Sequence, residues 1–114
     1  MDSSSILESI KKLLGIAEHD EGFDLEIRDL INAEFLTLHQ LGVGPENGFS
    51  ITGPEEQWGS YTDNPHLVDA VRQFVYLRVR LVFDPPSSST VSEAISNRIS
   101  ELEFRLNVQA EGDA

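Results

Sequence analysis

Cysteine is absent from the 114 residues, and basic residues are scarce. Without cysteine the chain can form no disulfide and can bind no metal through thiolates. Lysine and arginine together number 8, against 20 acidic residues, which gives a formal net charge of −12. Because proteins bind duplex DNA by neutralising phosphates with Lys and Arg, we expect no tight binding to nucleic acid.

Long uncharged apolar runs are also missing. No stretch reaches the roughly 20 apolar residues that a membrane-spanning helix needs. The N-terminal segment MDSSSILESIKKLLGI has no basic start followed by an unbroken apolar run, so it does not have the pattern of a signal peptide. We therefore expect no membrane association and an intracellular or particle-bound setting.

Motifs for catalysis or metal binding are missing as well. The chain contains no G-x-S-x-G elbow, no P-loop and no G-x-G-x-x-G fingerprint. The acidic segment 18–24 fails the EF-hand spacing because Gly22 stands at a ligand position, and His39 and His66 have no second ligand at helical spacing. We predict no catalytic residue, no cofactor and no metal site.

Apolar periodicity predicts an all-α fold, a small bundle of about four helices in one domain over residues 1–114. The most apolar helix starts with Asn64 as N-cap and Pro65 at the first helical position, and it stops at Asp84 before Pro85. Its β-branched end could also form a strand, but its length and start signal favour a helix. The helices are expected over Ser3–Leu14, Asp24–Leu41, Pro65–Phe83 and Thr90–Asn107, with a frayed tail from about residue 109.

A long connection, residues 42–64, separates the second and third of these helices and holds five of the eight glycines. Its aromatic residues favour an ordered loop, in which Phe49–Ile51 could form a short extended segment. Two alternatives remain for Trp58: it fills the core of its own domain, or it packs with Phe49 against a neighbouring molecule.

Two ionisable residues of opposite charge fall on apolar helix faces. Glu34 lies on the inner face of the second helix, and Arg78 lies opposite the polar stripe of the third. We predict that they form a partly buried ion pair, within the chain or between subunits. The alternative is that each side chain reaches water separately.

Two sequence segments narrow the choice among function classes: FLTLHQLGVGPENGFSITG over 35–53, and VRQFVYLRVRLVFDPPSSSTVSEAISNRISELEFRL over 71–106. With the L-G-V-G-P turn, the F-D-P-P stop and the E-x-E-x-R-L ending, nearly the whole chain resembles the small head–tail connector (head-completion or adaptor) proteins of long-tailed bacteriophages. The resemblance implies a mostly α-helical structural subunit without enzymatic activity.

The same resemblance implies an assembly and its partners. Copies of the chain would form a homo-oligomeric ring, typically of about twelve in the particle, docked on the portal protein at the virion head–tail junction after assembly in the host cytoplasm. The ring would extend the DNA channel and contact a downstream adaptor, stopper or tail protein. A closed ring requires two different patches on each subunit.

The charge distribution offers two such patches. Residues 18–63 contain eleven acidic residues against one basic residue, a local balance of −10. We expect these acidic residues to contact, across the ring, a face that carries Arg72, Arg80, Arg98 and Arg105. In the last helix, Val91 begins the inner stripe, whereas Phe104 projects from the opposite side and is a candidate partner contact.

An acidic regulator is the alternative function, antitoxin-like or a DNA mimic that binds a basic protein partner. The net charge supports this alternative. However, a DNA mimic usually spreads its acidic residues over a whole face, whereas the acidic residues of this chain concentrate in the second helix and the loop. A small enzyme subunit is a third option, which the missing motifs disfavour.

Overall fold

The computed structural model describes residues 2–112 and is helical throughout its secondary structure. Over this range the chain forms no β-strand, and only one isolated antiparallel bridge joins Ser5 to Gln57. The all-α class is confirmed. The helices are α1 (Ile6–Leu13), α2 (Asp24–Gln40), α3 (Trp58–Tyr61), α4 (Pro65–Phe83) and α5 (Ser89–Gly112).

The connection after α2 contains a helix that the sequence analysis did not predict. The short helix α3 interrupts it, so the bundle has one helix more than expected. At Phe49–Ile51, where a short extended segment was one option, no β-strand pairing forms, and the backbone N–H and C=O of Ile51 bond to the side chain of Asn32 at 2.8 and 2.9 Å. One side chain of α2 therefore holds the loop in place.

Helix α4 begins and ends where the sequence predicts. The Asn64 side chain accepts hydrogen bonds from the backbone N–H groups of His66 and Leu67, at 3.0 and 3.4 Å. Asp84 closes the helix with a φ of −146°. Because α4 packs against α1, α2 and α5, it is the central helix of the bundle.

Helix α1 is shorter than predicted. Ser5 is its N-cap, and its hydroxyl oxygen accepts a hydrogen bond from the N–H of Glu8 at 3.2 Å. The residues before it pair with the loop instead of continuing the helix: Trp58 N–H donates to the Ser4 carbonyl at 3.1 Å, and Ile6 N–H to the Glu56 carbonyl at 3.0 Å. These bonds fix the N-terminal segment against the start of α3.

Helices α2 and α5 also differ at their ends. Asp24 lies inside α2, and Phe23 is the N-cap residue. Ser88, not Thr90, caps the start of α5, since its hydroxyl accepts a hydrogen bond from Val91 N–H at 3.4 Å. A frayed tail was expected from about residue 109; helix α5 continues to Gly112, and Ala110 packs against the core. The last two residues of the chain lie outside the described part.

One apolar core joins all five helices, and the loop contributes Val43 and Ile51 to it. Gly44, with φ +94°, shows how closely the loop approaches α3. A Cβ at this position would lie 2.6 Å from the Tyr61 hydroxyl oxygen, and the left-handed backbone itself disfavours other residues. The chain therefore needs glycine here to bring the loop over Tyr61.

Candidate assembly surface

Trp58 fills the core of its own chain, the first of the two alternatives. Its side chain is 0% exposed, and its indole N–H donates to the Ser9 hydroxyl at 3.1 Å. A side chain without exposed surface cannot contact a neighbouring molecule, so Trp58 as an interface residue is wrong. Phe49 is half-buried, and its ring lies 5.3 Å from those of both Phe35 and Tyr61. It too packs mainly within the chain.

Glu34 and Arg78 form the predicted ion pair, and it lies within one chain. Arg78 Nε donates to Glu34 Oε1 at 2.7 Å, which ties α4 to α2. The Glu34 side chain is 11% exposed and that of Arg78 is 36% exposed, so water still reaches the guanidinium. The guanidinium carbon also lies 5.7 Å from the ring centre of Phe74. The pair is thus partly buried and joins α2 to α4.

A second, deeper cation was missed by the sequence reasoning. Lys11 is 0% exposed, and its ammonium nitrogen lies 2.9 Å from Asp24 Oδ1 and 3.6 Å from Glu8 Oε1. It also donates to the Glu18 carbonyl oxygen at 3.2 Å. The signal in the sequence was weak, because on a helical wheel Lys11 falls at the edge of the apolar stripe of α1, about 40° beyond Leu7. The cation joins α1, the following linker and the start of α2.

The carboxylates around Lys11 determine its protonation. Burial by itself lowers the pKa of an ammonium group, but the close contact with Asp24 and the charge of Glu8 outweigh burial, so the pKa of Lys11 is raised above its usual 10.5. Lys11 is therefore a charged, paired group, and its role is to hold three segments together.

Arg72 is occupied by contacts inside the chain. It pairs with Asp69 at 2.7 Å and approaches Asp2 at 3.8 Å, and its guanidinium carbon lies 5.9 Å from the ring centre of Trp58. Arg72 thus covers the buried tryptophan. Of the four arginines expected at an interface, it is the one with most internal partners.

Arg98 and Arg105 share a partner on their own helix. Glu101 lies 3.2 Å from Arg98 and 2.6 Å from Arg105, and Arg98 also donates to the Gln73 side chain of α4 at 2.9 Å. All three charged side chains are at least one-third exposed, and such exposed pairs contribute little stability. Both arginines can therefore exchange these partners for others.

Arg80 has no carboxylate within 4 Å among residues 2–112; its only hydrogen bond is a long one, 3.5 Å, to the Tyr76 hydroxyl. The same absence of a carboxylate partner holds for Lys12 on α1. Arg80 stands on the exposed stripe of α4, next to α5. Among the predicted interface arginines it is therefore the one without a carboxylate partner in the described part of the chain.

Exposed apolar side chains form two groups. Phe104, 70% exposed, and Val108 lie one turn apart on the outer side of α5 and are here named the α5 pair. The second group lies where α2 begins and α4 ends, because the ring of Phe23 packs edge-on against Phe83 at 5.3 Å. We name this group the apolar corner; it consists of the exposed residues Phe23, Leu25 and Val82.

Neither group lies beside chemically reactive residues. Over residues 2–112 no three His, Asp or Glu side chains are arranged so that they could hold a metal ion. In the same part of the chain, none of the helices is both long enough and apolar enough to cross a lipid bilayer. The surface instead presents exposed apolar and charged side chains, which are the groups that protein–protein contacts use.

The fold and surface thus define a small all-α, acidic binding or assembly domain. Comparison with family models identifies the family of this domain, because the model described as phage connector protein matches residues 6–113. The chain belongs to the phage connector protein family and has the structural connector role of that family. Among curated proteins and solved structures, none matches the chain.

Proposed function

We propose that copies of this chain form a ring at the head–tail junction of a phage particle, dock on the portal protein and contact a downstream adaptor, stopper or tail protein. The observation that carries the proposal is the family match over residues 6–113. A connector joins two different structures, so it needs more than one contact surface. The apolar corner and the α5 pair supply two on different elements of the bundle.

The acidic surface is compatible with a channel for DNA. The side chains of Glu18, Glu46, Glu55 and Asp63 are exposed, and none of them lies within 4 Å of a cation in the described residues. Phosphates that pass such a wall meet like charge and are not held by it. A ring of this chain would therefore let DNA slide through its centre.

The α5 pair is the surface we assign to a partner above or below the ring. A large aromatic side chain that is mostly exposed loses contact with water when a partner covers it, and aromatic residues are enriched at the centres of protein interfaces. The exchangeable arginines Arg98 and Arg105 lie on the same helix and can pair with carboxylates of that partner.

The test is assembly with the portal protein encoded by the same phage. We expect the purified chain, alone or only after mixing with portal, to give rings in electron micrographs and a multi-subunit mass by light scattering. The Phe104→Ser variant should keep the helical circular dichroism spectrum and lose portal or tail-side binding. A tight one-to-one complex with a basic host protein, without binding to portal, would instead support the acidic regulator.

A further inference from the structure

The apolar corner is an unpartnered surface with a distinctive rim. Leu25 is 64% exposed and follows the exposed Phe23 by two residues at the start of α2, and Val82 is exposed next to Phe83 at the end of α4. Four exposed carboxylates flank this group in the sequence, and no cation of the described chain lies within 4 Å of any of them: Asp20, Glu21, Glu26 and Asp84. Exposed apolar side chains thus stand among uncompensated negative charges at this end of the bundle.

A surface of the opposite kind lies on the outer side of α4 and α5. The hydrogen bond from Arg98 to Gln73 fixes the antiparallel register of the two helices. Counting two turns along each helix from that bond places Arg80 opposite Val91. Val91 was expected on the inner stripe of α5, but it is exposed. We name this surface the basic face; it consists of Tyr76, Arg80, Val91 and Arg98.

We propose that the apolar corner of one copy binds the basic face of a second copy, and that this contact repeats around the ring. The inference rests on the proposed ring and adds the surfaces that form it. The contact places Leu25 near Val91 and sets the carboxylates of one subunit against Arg80 of the next. It is heterologous, since each copy contributes two different patches, as a closed ring requires.

Charge favours the basic face of a second copy, and disfavours a second apolar corner, as the partner of the apolar corner. Two apolar corners facing each other would bring their carboxylate rims together, and like charges across an interface disfavour that arrangement. Within residues 2–112, Arg80 has no carboxylate partner and the corner carboxylates have no cation within 4 Å. Pairing them between copies compensates both, while Phe23, Leu25 and Val91 lose contact with water.

Crosslinking tests the contact directly, because the chain has no cysteine of its own. The test variant carries Leu25→Cys together with Val91→Cys. The matched control carries Leu36→Cys together with Val91→Cys, since Leu36 is a similarly exposed leucine of α2 outside the corner. With a short bis-maleimide, we expect severalfold more intermolecular product from the test variant, in a ladder of increasing size.

Single variants reveal the geometry of the contact. A mixture of chains carrying only L25C and chains carrying only V91C should stop at dimers, whereas L25C alone should give little product. Adding Glu21→Lys and Glu26→Lys to the test variant should reduce the product severalfold, and high salt should reduce it as well. Equal yields from test and control variants would overturn the contact, and so would efficient dimers from L25C alone.

Ring formation is measured separately, in electron micrographs of the unmodified chain mixed with portal protein. If rings form while the test pair crosslinks no better than the control, the corner contact is overturned and the ring stands. If the test pair crosslinks strongly but its products stop at two copies, the contact stands and the ring does not.

Discussion

The two ion pairs that join helices of this bundle differ in their access to water. Lys11 is wholly enclosed and is held by Asp24, Glu8 and a backbone carbonyl. Arg78 makes a single short bond to Glu34 and remains one-third exposed. Removing a partner from an enclosed charge leaves it without water or counter-ion, whereas an exposed guanidinium is rehydrated. The comparison therefore predicts different costs for the same kind of substitution.

Asp24→Ala should have the largest effect. It leaves the buried Lys11 ammonium with only the longer contact to Glu8 and one carbonyl oxygen. Breaking a buried pair in this way costs about 3 kcal/mol of unfolding free energy. Urea denaturation followed by circular dichroism measures it. The double variant Lys11→Met with Asp24→Leu is the control and should recover most of the loss, because no charge is then stranded. A loss below about 1 kcal/mol in the single variant would show that water reaches Lys11.

Glu34→Ala should cost less, about 1.5 kcal/mol, since Arg78 loses one charge-assisted hydrogen bond but keeps its contact with solvent and with Phe74. The same denaturation experiment measures it, with Arg105→Ala as a control for an exposed pair. We expect the Glu34 variant to be the less stable of these two. If Glu34→Ala destabilises as much as Asp24→Ala, exposure does not set the cost and the comparison fails.

The smallest effect should come from alkaline pH, because Lys11 loses its proton only at the edge of the range in which proteins stay folded. Its pKa is raised in the folded chain. From pH 10.5 upward the unfolded chain has released this proton while the folded chain retains it, so the free energy of unfolding falls as pH rises. Burial also raises the pKa of Tyr61, which acts in the same direction.

Comparing the unmodified chain with a Lys11→Met variant separates the contribution of Lys11 to the pH dependence of stability from that of Tyr61. In Lys11→Met the tyrosine contribution remains and the lysine contribution is gone, so stability should fall less steeply above pH 10.5 than in the unmodified chain. Parallel pH curves for the two proteins, from denaturant titrations between pH 9 and the onset of alkaline unfolding, would contradict the assignment of a raised pKa to Lys11.

Local signals were enough to predict part of this fold. Asn64, Pro65 and Asp84 fix α4 through bonds to near neighbours in sequence, so its bounds were readable. Glu34 and Arg78 were found because a charge inside an apolar stripe requires a partner. The same test does not single out Lys11, because it lies at the edge of the apolar stripe of α1 and in its last turn, where the helix dipole already explains a cation.

Long-range contacts account for what the sequence did not show. The start of α1 depends on bonds between residues 4–6 and 56–58, and no local pattern encodes that pairing. The single turn of α3 is held by Trp58 packing between α1 and α2. Asp69, three residues before Arg72 on the same helix, is a local partner that the sequence shows, but the contacts of Arg72 with Asp2 and Trp58 depend on the fold.

The pairing of residues 4–6 with 56–58 also sets an order for biosynthesis. An isolated helix of eight residues is marginal in water, so α1 gains little from forming early. Its docking partner, the loop before α3, is synthesised about fifty residues later. Of the five helices, α1 is therefore translated first and yet is among the last to dock, and until then Ile6, Leu7 and Ile10 are available to chaperones.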